Sequence, residues 1–180
     1  MIAPALYSSA TVEWETPSQL FETLDAEFNF TLDVCATSAN AKCPHFYSAA
    51  DDGLSMPWEG TCWLNPPYGR EVRKWLEKAT VEAVRGATVV ALLPSRTDTR
   101  WWHEYVEPIL AGRVPGEVRF FKGRLRFGGA KHSAPFPSAL VVFAPPPDGA
   151  AWVGSEGVTR AVPAKDPSDS SNEEVDHAQR

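Results

Sequence analysis

Residues 65–69 read Asn65-Pro66-Pro67-Tyr68-Gly69 and follow the apolar run Thr61-Cys62-Trp63-Leu64. An amide, two prolines and an aromatic at the end of a buried strand make a rigid pocket. It offers hydrogen-bond acceptors to a flat amino-bearing group and a ring to stack on it. Methyl transfer to a planar exocyclic amine has these requirements. Such an amine is a poor nucleophile, because its lone pair is delocalised into the ring. The Asn65 side-chain oxygen and the Pro66 carbonyl are acceptors that would hold its two protons, favour a tetrahedral nitrogen and expose the lone pair. Neither Pro66 nor Pro67 has an N–H to compete for them, and each proline biases the residue before it towards extended backbone. Tyr68 would clamp the ring face, as aromatics do for flipped or unpaired bases. The gain is positioning and electrostatic preorganisation, with no covalent intermediate. The plainer alternative is a proline-rich turn after a strand, with Tyr68 as packing.

Several elements must position this pocket. Thr16-Pro17-Ser18-Gln19 reads as a helix start, with Thr16 as cap and Pro17 first, and Leu20, Phe21, Leu24 and Phe28 then share one face. Phe30–Ala36 reads as a strand, residues 37–57 as irregular, and Gly60–Leu64 as a second strand. Glu71–Val84 predicts a helix ended by Gly86, and Ala87–Leu93 a strand covered on both faces. Asp98 would cap a helix carrying Trp101, Trp102, Tyr105, Val106 and Ile109. Glu117–Phe121 and Leu125–Phe127 read as two short strands joined at Lys122-Gly123-Arg124, and Ser138–Ala144 as the last strand. Strands alternating with helices imply an α/β fold, mainly parallel, with antiparallel strands at one edge. Ligands bind such sheets beyond the carboxyl ends of the strands. Asp33-Val34-Cys35-Ala36 and Asn65–Tyr68 both end strands, which puts them at one crevice. Residues 1–12 are expected as a loose arm, 13–145 as the domain, and 146–180 as a disordered tail rich in Ser, Asp, Glu and Ala.

The 180 residues carry a formal net charge of −6, unevenly spread. Pro145–Arg180 holds seven acids against three bases. Arg113–His132 holds six Lys/Arg against one acid, Glu117, a basic patch suited either to a phosphate-bearing partner or to an ordinary solvated face. Arg96 and Arg100 flank a loop after a buried strand, placed for phosphate contacts or for ion pairs with Asp98 or Glu104. On a strand, Arg124 and Arg126 would share one face with Arg119 and Lys122 nearby, suited to contacts that position a phosphate backbone without reading sequence. The three cysteines, Cys35, Cys43 and Cys62, fit no zinc spacing, so no metal site is expected. Paired acids Asp51-Asp52 lack a third carboxylate or a helix-spaced His to make one. No signal peptide or spanning segment is visible, and a cytoplasmic setting is expected.

The chain resembles the small phage-type DNA N-6-adenine methyltransferases, the phage Dam family, from about Trp14 to Phe143. The pieces that carry the resemblance are Trp14-Glu15-Thr16-Pro17, Leu32–Ala36, Asn40–Cys43, Asp52-Gly53-Leu54, Trp63–Tyr68, Leu93–Thr99, Gly123–Phe127 and Pro137–Phe143. Asn-Pro-Pro-Tyr alone is shared by amino-methyltransferases of several substrates; the ordered set is far more specific. The resemblance implies a Rossmann-like methyltransferase fold, S-adenosylmethionine as methyl donor, and N6-methyladenine in DNA as product. It implies that Thr16 and Pro17 lie against the methionine part of the cofactor. Asp33, Cys35 and Ala36 would then form the cofactor turn, with Asp52 bonding the cofactor's adenine amine. Protection of phage DNA from host nucleases, as in restriction-modification, is the role it suggests. Two departures stand out. The first-strand turn has no glycine, and the acid for the ribose is unassigned, with Asp51 and the weaker Asn40 as candidates. RNA or protein glutamine as substrate, and a silent DNA-binding decoy on the same scaffold, are the alternatives.

Overall fold

The computed structural model describes residues 14–128 and 130–147. The expected arm, and the expected tail beyond residue 147, lie outside the described residues. Five strands form one sheet in the order β1-β2-β3-β5-β4: β1 Leu32–Asp33, β2 Thr61–Leu64, β3 Thr88–Pro94, β4 Gly116–Phe120 and β5 Ser138–Phe143. Strands β1, β2 and β3 pair in parallel, with Leu32 beside Cys62 and Cys62 beside Val89. Strand β5 runs antiparallel to both β3 and β4. The architecture is therefore mixed α/β with a parallel core and an antiparallel side.

Alternation along the strands sends side chains to two apolar layers. Cys62, Leu64, Val89, Ala91, Leu93, Val141 and Phe143 meet helix α2 (Val72–Val84) through Val72, Trp75, Leu76, Ala79 and Ala83. Trp63, Val90, Leu92, Leu140 and Val142 face the other way, against Phe21 and Leu24 of helix α1 (Ser18–Phe28) and against Phe30, Tyr68, Phe127 and Phe136. Helix α1 ends where Asn29 turns left-handed (φ 54°) and donates its N–H to Asp25. Beyond β3, Trp102–Val106 is a π-helical segment that runs into α3, Glu107–Leu110. The wider register falls just before Pro108, which has no N–H to continue an α ladder.

Four expectations are corrected. The Thr16 side chain does not cap α1; Pro17 stands at the cap position, and the Thr16 hydroxyl is engaged by Asn65. Strand β1 keeps only Leu32–Asp33, because the Asp33 carboxylate accepts hydrogen bonds from the Cys35 and Lys42 N–H groups and turns the chain away. Residues 125–127 form no strand: the Arg124 guanidinium donates to the Pro135 carbonyl and that of Arg126 to the Lys131 carbonyl, holding a loop together. Asp98 is exposed in a turn, and it is Thr99 whose hydroxyl donates to the Arg96 carbonyl there. Among the described residues no helix is long and apolar enough to cross a membrane.

Candidate active site

Parallel strands β1 and β2 end on the same rim, and a cleft of about 590 Å³ opens there. Its lining includes Thr16, Asp33, Cys35, Ala36, Asp52, Asn65, Pro66 and Pro67, so most of the pocket and cofactor residues expected from sequence meet at one place. Pro17 and Tyr68 are not in its wall. Trp14, Glu15, Asn40, Lys42, Tyr47, Gly53, Trp75 and Gly128 also line it.

Asn65 is the best-defined group. Its Nδ2 donates to the Trp14 carbonyl at 2.6 Å and to the Thr16 Oγ1 at 3.1 Å. Its Oδ1 is buried with no hydrogen-bond partner among the described residues. Both amide protons are thus used, and the side chain has only acceptor capacity left. The reverse orientation would set Oδ1 against the Trp14 carbonyl, two acceptors at repulsive range. Tyr68, expected as a base clamp, is buried instead. Its hydroxyl donates to the Leu92 carbonyl at 3.0 Å, and its ring packs edgewise on Phe127 and Phe136. Burial raises the phenol pKa well above its ordinary value.

Asp33 is buried and organises the loop that follows it. Its two oxygens accept from the Cys35 N–H at 3.3 Å and the Lys42 N–H at 3.0 Å. Burial raises its pKa, and these two bonds oppose that rise. The glycine missing from the first turn comes from elsewhere. A Cβ on Gly53 would lie 2.3 Å from the Val34 carbonyl, so the close approach that builds this wall requires glycine at 53. Asp52, just before it, is exposed and holds a left-handed backbone (φ 53°). Of the two ribose candidates, Asp51 is exposed and bonded to its own turn: it accepts from the Ser48 N–H and hydroxyl, which lower its pKa, and it is absent from the cleft wall. Asn40 lines the cleft, with Oδ1 accepting from the Thr37 N–H and hydroxyl.

A short strap closes one side. The Gly128 N–H donates to the Glu15 carbonyl at 2.8 Å, and Lys42 Nζ lies 3.3 Å from Glu15 Oε1. With the Asn65 bonds to Trp14 and Thr16, residues 14–16 join three distant segments across the cleft. The basic residues fare unequally. Arg119 is clamped by Glu27 and Glu117 and lies over the Phe28 ring. Arg100 shares Glu104 with Arg73. Arg124 and Arg126 hold their own loop, whereas Arg96 and Lys122 are exposed.

The cleft suits a nucleoside-bearing cofactor: it has apolar walls in Tyr47, Trp75 and Pro66, and polar side chains in Asp52, Asn40 and Thr37. A family model for DNA N-6-adenine-methyltransferases (Dam) matches residues 6–144. The DNA N-6-adenine-methyltransferase of Haemophilus phage HP1 (strain HP1c1) is 34% identical over 92 residues, 49% of this chain and 53% of that protein. An Escherichia coli (strain K12) protein named as a methyltransferase, YfdM, is 34% identical over 64 residues, 31% of this chain and 70% of that protein. The match thus spans about half the length of the phage relative.

Proposed function

Because this chain belongs to the DNA N-6-adenine-methyltransferase (Dam) family, we propose that it transfers a methyl group from S-adenosylmethionine to the N6 amine of adenine in DNA. The observation that carries this reading is the Asn65 amide. Its protons are held by Trp14 and Thr16, and its one open function is a buried acceptor. Leaving a buried acceptor unpaired costs about 1–3 kcal/mol, and an amine entering the cleft would satisfy it.

Asn65 Oδ1 and the Pro66 carbonyl each accept a hydrogen bond from one N–H of the N6 amine and draw the nitrogen out of conjugation. S-adenosylmethionine, when bound, supplies a methyl group on a sulfonium, which is electrophilic. Attack by the nitrogen would displace the thioether S-adenosylhomocysteine, and the methylated nitrogen would release its proton to water. The cationic nitrogen is a strong acid, so no general base is required of the chain. Asp52, Cys35, Ala36 and Thr16 are the side of the cleft that would hold the cofactor. Asp33 holds the 34–42 loop in shape beneath it.

The target base reaches the site by leaving the duplex. Asn65 Oδ1 and the Tyr68 ring are both covered, so entry displaces the cover. Phe127 and Phe136 lie outside the helices and strands and are the side chains expected to give way. Exposed Arg96 and Lys122 can meet phosphates without breaking an existing bond, which favours them over the clamped Arg119. DNA in the cytoplasm of a phage-infected cell is the corresponding substrate.

The test is incubation with methyl-labelled S-adenosylmethionine and unmethylated plasmid, then digestion to nucleosides. Label in N6-methyldeoxyadenosine supports the assignment. Label only in RNA or protein, or DNA binding without any methyl transfer, overturns it.

A further inference from the structure

Asn65 is not alone in having an unsatisfied atom in this neighbourhood. The Trp14 indole Nε1 is also buried with no hydrogen-bond partner among the described residues. Buried indole N–H groups ordinarily find an acceptor. Trp14 lines the same cleft as Asn65, and its carbonyl is 2.6 Å from the Asn65 Nδ2, so the two residues are immediate neighbours. The indole packs edgewise on Phe127 at 5.2 Å and on Phe136 at 5.1 Å, and Tyr68 packs on those same two rings. One locality therefore holds an open acceptor, an open donor and a set of aromatic faces.

An aminated heteroaromatic base has the complementary edge. Its exocyclic amine is a donor, and the ring nitrogen beside the amine is an acceptor. We propose that Trp14 is a specificity-determining residue: its indole N–H donates to a ring nitrogen flanking the amine that Asn65 holds. The inference rests on the proposed adenine substrate and adds to it a second contact that no amide pocket supplies. A 6-oxo purine would fail at the amine position, because it sets a carbonyl against the Asn65 oxygen; where the indole meets N1 it would fail there too, since its N1 carries a proton. The shared strap explains why the two contacts are set together: the backbone that carries the indole also fixes the Asn65 amide.

The experiment uses the full chain and a duplex carrying a site shown to be methylated in plasmid. The target adenine is replaced by 1-deazaadenine or 7-deazaadenine, each of which keeps the amine and lacks one flanking nitrogen. Wild type should lose about tenfold in kcat/KM on one of the two. Trp14→Phe keeps the ring packing and lacks the donor. It should lose about tenfold on adenine and nothing further on that analogue. Indifference of wild type to both analogues overturns the proposal without any variant. So does a Trp14→Phe protein that matches wild type on adenine, or that is reduced equally on adenine and both analogues. Failure of wild type to methylate unmodified DNA is a different outcome: it defeats the proposed function, and this inference falls with it.

Discussion

Thr16→Val isolates the orientation of the Asn65 amide. Valine matches threonine in shape, and Thr16 is buried, so the substitution removes the hydroxyl with little repacking. It deletes the 3.1 Å bond from Asn65 Nδ2 and leaves that proton unpaired, while the 2.6 Å bond to the Trp14 carbonyl survives. An unpaired buried donor costs about 1–3 kcal/mol. Borne by the reactive orientation, this lowers kcat by about tenfold to about a hundredfold, at one decade per about 1.4 kcal/mol. Thr16→Ser retains the acceptor and should stay near wild type. Steady-state methyl transfer with cofactor and DNA varied separately reads the effect, and a thermal melt checks folding. A wild-type kcat in Thr16→Val with a raised KM for S-adenosylmethionine would refute the orienting role and make Thr16 a cofactor contact alone.

Further outcomes follow from the cleft wall. Asp33→Asn sets an amide against one of two backbone N–H donors and should destabilise the fold by about 1–3 kcal/mol and weaken cofactor binding, as measured by urea unfolding and calorimetric titration. Burial raises the Asp33 pKa in the folded chain, so its contribution to stability is fully present below the unfolded value and declines as pH rises through the raised native one. The stability difference between wild type and the Asn variant should therefore shrink over that window, and a pH-independent difference would count against a buried carboxyl with a raised pKa. Gly53→Ala forces a Cβ against the Val34 carbonyl at 2.3 Å; since the backbone must move, cofactor affinity should drop steeply, and unchanged affinity would show that the wall is not part of the cofactor site.

Periodicity located the elements that bury one or two whole faces. Residues 61–64, 72–84, 88–94 and 138–143 fall within a residue or so of their expected limits, since apolar spacing alone decides burial there. It failed where polar side chains bond the backbone. Alternating Arg and apolar residues at 124–127 mimic a strand, yet the guanidinium groups bond carbonyls of their own loop. The Asp33 carboxylate cuts β1 short in the same way. At the site, Asn65 and Pro66 were legible because the motif is contiguous. The contribution of Trp14, Lys42, Tyr47 and Gly53 was not, because it arises from contacts between segments far apart in sequence, such as Asn65 with Trp14 and Lys42 with Glu15. Tyr68 was placed by its motif and not by its surroundings; only the fold shows its ring under Phe127 and Phe136.

The central claim is that Asn65 presents an acceptor to the amine and does not hold the cofactor. Asn65→Ala, assayed for methyl transfer to DNA and titrated with S-adenosylmethionine in parallel, tests it most directly. The account predicts loss of methylation with cofactor affinity within about twofold of wild type, since the deleted group acts on the amine alone. Methylation at the wild-type rate, or loss of both activity and cofactor binding in a folded variant, would contradict it.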